Sequence, residues 1–234
     1  MRYQTITFDC EPLVREKGVR VVVLTMGNLK NRQASAEFEE YKTAACRKIL
    51  ASLSPEAIRD DSTLRGFRDL HTRFGFSNRS FPAASESLLE YLLKYQRLPQ
   101  VNLLVDIYNL VSVETRLALG AHDLSTVSGN VHLGLTTGVE NFWPLGAPEA
   151  KQARAGAYAY MDDDQDVLCF LEVKQVQKSR VTLETGECLF ILQGNLETSS
   201  EMLRGATEYL LDLTKKFCGG DERILYPPDW QAAP

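Results

Sequence analysis

The sequence predicts an α+β fold, because helical and strand-like segments fall in separate blocks. Apolar residues recur at helical spacing between residues 34 and 114, short strand candidates follow Asp123, and no repeated βαβ alternation joins the two. A single compact domain of mixed helices and mainly antiparallel sheet is expected.

Alternating apolar and polar residues over Tyr3 to Phe8 open the chain, and VRVVVLT at 19–25 is a β-branched run bracketed by Gly18 and Gly27, which predicts a buried strand. Phe38, Tyr41, Ala45, Ile49 and Leu53 share one face of an amphipathic helix over 34–53. Ser54-Pro55-Glu56 then supplies an N-cap and a proline at the first helical position for a helix leading through Ile58, Leu64, Phe67 and Leu70. The turn-like RFGFSNRSFPAAS precedes a helix over 86–96 capped by Ser85, and a helix over 101–114 follows Pro99. Beyond Asp123, VHLGL, AYAYM, VLCFLEV and CLFILQG are strand candidates separated by Gly, Pro and Asp turns. A last helix over 199–217 carries Met202, Ala206, Leu210 and Leu213 on one face, and from Gly219 the chain reads as a loosely held tail. The resulting partition is a core at 73–218, strands and helices packed on it at 1–72, and the tail at 219–234.

With 234 residues, 44% of them hydrophobic and 24% charged, the chain can bury a substantial core. No run approaches the roughly 18 apolar residues of a membrane span, and MRYQTITFDCEP lacks the basic and apolar regions of a signal peptide. A cytoplasmic protein without membrane contact is expected. Cys10, Cys46, Cys169, Cys188 and Cys218 stand singly, without a CxxC pair or a partnered histidine, which argues against both zinc and a disulfide framework. A net charge of −5 disfavours broad electrostatic binding to a polyanion such as tRNA, though it leaves room for a local basic patch, and DNA is not an expected partner. Arg59, Arg65, Arg68, Arg73 and Arg79 form a local cluster, read either as a helix face bridged to Asp60, Asp61 and Asp69 or as a patch for phosphate or carboxylate. The run Asp162-Asp163-Asp164 lacks the alternation and glycine of an EF-hand loop and reads as a solvated turn, so no metal is expected. Phosphate loops of the GxGxxG and GxxxxGK[ST] types do not occur, and GAHDLSTVSG is no GxSxG elbow; nucleotide-dependent chemistry and serine hydrolysis are disfavoured.

The stretch VNLLVDIYNLVSVETRLALGAHD at 101–123 carries the strongest functional signal. Asp106, Asn109 and the pair His122-Asp123 stand inside an apolar run, where burial is costly unless they are hydrogen-bonded. An imidazole beside a carboxylate can act as a general base on water, with Asp123 as its orienter; the pair can equally serve as a structural hydrogen-bonding element closing a buried helix and loop.

This stretch also resembles the B3/B4 domain of the phenylalanyl-tRNA synthetase beta subunit, which carries a run like VDxxNYVxLExGQPxHAFD. Val105-Asp106, Asn109, Glu114 and Asp123 fall in its register. The resemblance extends from about Arg73 to Gly194: FPAASESLLEYL is similar to the PSPxWL helix entry, VHLGLTTGVENFWPLG and AYAYMDDDQDVLCFLEV to the strands that follow, and SRVTLETGECLFILQ to xxVTEETxNVLLE, aligning Val181, Thr182, Glu184 and Thr185. In that family the domain hydrolyses tyrosine wrongly esterified to the phenylalanine tRNA. The resemblance implies a B3/B4-like α+β fold, no cofactor, and a freestanding protein that binds an amino acid or an aminoacyl-tRNA end and hydrolyses the ester in trans.

Three positions depart from the family pattern. The histidine that opens HAFD falls on Gly120, with His122 in place of the phenylalanine; the editing arginine falls on Pro99; the glutamate of the GGE turn falls on Gln177. The expected site therefore holds His122 and Asp123 as catalytic residues, with Asn109, Gly120, Thr182, Glu184, Thr185, Arg73 and Arg79 around the substrate, where 101–123 meets 176–188. Two other readings stay open. Thr182 to Thr185 can be a capping motif and the arginines loop braces, and the protein can be a non-catalytic amino-acid or RNA-binding module, or a hydrolase of small esters or amides.

Overall fold

A computed structural model describes residues 6–227. The early part of the chain supplies β1 (Phe8–Cys10), α1 (Pro12–Glu16), β2 (Arg20–Gly27), α2 (Ala36–Leu50), α3 (Pro55–Asp60), α4 (Ser62–Arg73), α5 (Ala84–Tyr95) and α6 (Leu103–Thr115). Strands β3 (Ala118–Asp123), β4 (Val131–Leu135), β5 (Asn141–Phe142), β6 (Lys151–Gln152), β7 (Tyr158–Asp162), β8 (Val167–Phe170), β9 (Lys174–Gln175) and β10 (Cys188–Gly194) follow, then α7 (Ser200–Cys218) and β11 (Asp221–Tyr226).

Two main sheets pack face to face. One has four strands in the order β11-β2-β10-β3, all antiparallel; the other has five in the order β1-β4-β7-β8-β9, antiparallel except for the β1–β4 pair. Strand β2 shows why VVVL predicts burial on both faces. Val21 and Val23 meet Tyr158, Tyr160 and Leu168 of the five-stranded sheet, while Val22 and Leu24 meet the helical layer of α2, α5, α6 and α7. Helix, sheet and sheet thus form three layers of an α+β fold.

Helix α6 is buried along Leu103–Val113. Asn102 caps it by accepting from Val105 N at 3.1 Å. Its one buried carboxylate, Asp106, is neutralised by Lys42 of α2 at 2.9 Å and accepts from Val101 N at 2.9 Å. The polar residue that first marks this segment therefore joins α2 to α6 inside the core.

Several expectations are corrected. The helix begun at Ser54 breaks at Asp61, whose carboxylate caps α4 through Leu64 N, so 54–70 holds two helices. Ser85 lies inside α5 and is not its cap; the N-cap position is Ala83. Residues 118–123 are strand, where a loop was expected. Leu171 has φ +55, which ends VLCFLEV as a strand at Phe170. From Gly219 the chain is no loose tail, since β11 pairs with β2 at the edge of the four-stranded sheet. Residues 3–5 of the expected first strand, and 228–234, lie outside the described residues. Asp162 is fully buried and not solvated: it accepts from Lys178 Nζ at 2.9 Å and Ser128 N at 3.0 Å. The arginine cluster is braced only in part as expected: Arg59 pairs with Asp60 at 2.9 Å, but Arg68 pairs with Glu86 of α5 at 2.6 Å and Asp61 pairs with Arg116. Among the described residues no helix is long and apolar enough to cross a membrane.

Candidate functional site

A cavity of about 370 Å³ opens where the edge strands β3 and β9 of the two main sheets meet α5 and α6. Edge strands have no neighbour on one side, so the layers part here and leave room. The floor comes from β7, β8 and β10 through Tyr160, Cys169, Ile191 and Gln193, and the roof from α6 through Tyr108 and Asn109.

His122 enters from β3. Strand alternation sends Gly120 and His122 to the cavity side and Ala121 and Asp123 to the other. The imidazole is 1% exposed; Nδ1 meets Ser179 Oγ at 2.9 Å, and Nε2 has no hydrogen-bond partner. Burial lowers its pKa from 6.5 to about 4, so the ring is neutral at pH 7. With Nδ1–H donating to Ser179, Nε2 offers its lone pair to whatever occupies the cavity.

Asp123 does not orient His122. Its carboxylate accepts from Ser125 N at 2.9 Å, Ser125 Oγ at 2.6 Å and Thr185 Oγ1 at 2.5 Å, because adjacent strand residues face opposite ways. Thr185 also accepts from Thr182 N at 2.9 Å, and Glu184 N donates to Thr182 Oγ1 at 3.3 Å, a self-contained turn joined to α6 through the bond of Asn102 Nδ2 to Val181 O. None of Thr182, Glu184 and Thr185 lines the cavity. Arg73 donates to Lys17 O at 3.2 Å and Arg79 is exposed, and neither reaches the cavity. Of the expected residues the fold thus brings together His122, Asn109 and Gly120, while Pro99 and Gln177 lie outside the lining.

Sequence reasoning missed the polar residues opposite His122. Glu172 holds His71 Nε2 on Oε1 at 2.7 Å and the Tyr158 hydroxyl on Oε2; Gln193 Nε2 donates to Tyr158 Oη at 3.2 Å, and the Tyr160 hydroxyl donates to Gln193 Oε1. Burial alone lowers the His71 pKa, and the Glu172 carboxylate beside it more than reverses that, leaving it above 6.5. The signal was a lone polar residue inside each buried apolar run: Glu172 in VLCFLEV and Gln193 in CLFILQG. Among the described residues no group of three or more His, Cys, Asp or Glu is placed to hold a metal, and the five cysteines are free and buried.

Chemically, the cavity combines an uncharged base with an unoccupied nitrogen, amide groups from Asn109, Gln175 and Gln193, and one carboxylate already engaged by His71 and Tyr158. That set suits an uncharged polar group such as an ester or amide better than a phosphate. Comparison with known proteins agrees on the fold. A crystal structure of an N-terminal fragment of the phenylalanyl-tRNA synthetase beta subunit from Pyrococcus horikoshii superposes with a TM-score of 0.51 at 12% identity, covering 95% of this chain and 52% of that one. The chain thus spans about half the length of that fragment. No curated protein matches the sequence. The model of the B3/4 domain matches residues 72–219, well over half of the chain, and the protein belongs to the B3/4 domain family.

Proposed function

We propose that the cavity beside β3 binds an amino acid or the aminoacylated end of a tRNA, and that His122 serves as general base for hydrolysis of the ester. The observation that carries this reading is the unpartnered, buried and neutral Nε2 of His122 at a cavity of about 370 Å³. Nε2 takes a proton from water while the water oxygen attacks the ester carbonyl; the acyl C–O bond then breaks and the proton passes to the leaving ribose oxygen, releasing free amino acid and uncharged tRNA. The side-chain amides of Asn109 and Gln175 are the hydrogen-bond donors available to the developing oxyanion. A tRNA-related partner fits the fold shared with the synthetase subunit, and no step calls for a cofactor or metal. The cavity residues, from Ala84 to Gln193, fall within 73–218, which we take as the functional core.

The test is incubation with correctly and wrongly charged tRNAs, tyrosine on the phenylalanine tRNA among them, beside a His122→Ala control. Ester loss that the substitution abolishes supports the reading. A second reading, a binding module without turnover, is favoured by one observation: the room at Gly120, where the family pattern has a histidine, is filled by the amide of Gln175. Tight binding with ester decay at the buffer rate would select it.

A further inference from the structure

Gln175 ends the two-residue strand β9 and reaches from the five-stranded sheet across to β3. A Cβ at position 120 would lie 2.4 Å from Gln175 Nε2, so the amide stands where any other residue at 120 would put its side chain. Gly120 has no positive φ; space, and not backbone conformation, is what calls for glycine here. Both residues line the cavity, and His122 lies two residues along the same face of β3, about 7 Å away.

This inference rests on the ligand site described above. We propose that Gln175 is the specificity-determining residue of the cavity: its carboxamide closes the Gly120 end, limits the length of the ligand side chain, and selects an uncharged one. Length is limited because ligand atoms and the amide compete for the same volume over Gly120. Charge is excluded because both oxygens of the Glu172 carboxylate are already engaged, by His71 Nε2 and the Tyr158 hydroxyl, and Lys174 lies exposed at the rim, so a charged side chain beside Gln175 would be desolvated without an ion partner.

The experiment measures Kd for stable 3′-amide-linked aminoacyl-adenosines carrying alanine, phenylalanine, tryptophan or lysine. It compares the wild type with Gln175→Ala, Gly120→Ala and the double variant. Because the contact at Gly120 is with the far end of a flexible side chain, Gly120→Ala displaces the amide without moving backbone, and all three variants should melt close to the wild type. Gln175→Ala should shift the tryptophan-to-alanine preference toward tryptophan by on the order of tenfold. The effects of Gly120→Ala and Gln175→Ala should be non-additive, since they act on one volume. Preferences that are unchanged in Gln175→Ala, additive effects, or wild-type binding of the lysine analogue as tight as the others would overturn the assignment while leaving the ligand site standing. A wild type that binds none of the four would instead bring down the ligand-site reading, and this assignment with it.

Discussion

Replacing His122 by glutamine should change the pH dependence of stability more than its level at neutral pH. In the unfolded chain the imidazole takes up its proton near pH 6.5, whereas burial holds it neutral in the folded protein down to about pH 4. The unfolded state therefore binds more protons between those limits, and stability falls as the pH falls. That difference corresponds to about 3 kcal/mol, fully present above pH 6.5 and lost by about pH 4. His71 works in the opposite sense: its folded pKa is raised, so its contribution is complete below pH 6.5 and disappears as the pH rises through the folded value. Subtracting the variant from the wild type cancels the His71 contribution. Urea unfolding at pH 7, 6, 5 and 4 should give a wild-type-minus-variant difference that moves by about 3 kcal/mol in favour of the variant across the series. A constant difference would refute the neutral, desolvated state of His122 on which the base assignment depends.

Other perturbations separate the site from its scaffold. Lys42→Met leaves the Asp106 carboxylate buried without its partner and should cost about 3–5 kcal/mol in chemical denaturation, whereas Lys42→Met with Asp106→Leu should recover much of that loss. Glu172→Gln removes the carboxylate that raises the His71 pKa; the stability that the wild type gains as the pH falls through the folded His71 value to 6.5 should be lost from the variant's pH series. Ser179→Ala should cost about 1 kcal/mol through the lost bond to Nδ1 and, by freeing the tautomer of His122, should lower kcat while leaving KM nearly unchanged. Thr185→Val should cost about 1–2 kcal/mol because Asp123 loses a buried donor, yet leave ligand affinity unchanged, since Thr185 lies outside the cavity.

How much the sequence reveals depends on how local the cause is. The VVVL run of β2 and the apolar stretch of α6 are legible because burial on all sides leaves a continuous apolar signature. Asp61 was read as an ion-pair partner for the arginines, yet its carboxylate caps α4; a short polar residue between two helical patterns fits either role. His122 is legible as a polar residue in buried company, and its partner is not. Reading 115–123 as helix and loop placed Asp123 beside the imidazole, whereas a strand alternates faces and brings Ser179, fifty-seven residues away, to Nδ1. Gln175 is invisible for the same reason, since only the meeting of two sheets puts it opposite β3; Glu172 stands out as a lone polar residue in an apolar run, but its place opposite β3 does not. The loose tail predicted after Gly219 failed because Asp221–Tyr226 gains its order from pairing with β2 and not from its own apolar content.

The most direct test of the central claim is a ¹⁵N-histidine NMR titration with a stable aminoacyl-adenosine amide. The chain has three histidines, His71, His122 and His132, so each resonance can be assigned by substitution. The account predicts that Nε2 of His122 shifts on saturation while His132 stays where it is. A ligand that binds and leaves the His122 signal unmoved would contradict the placement of the site.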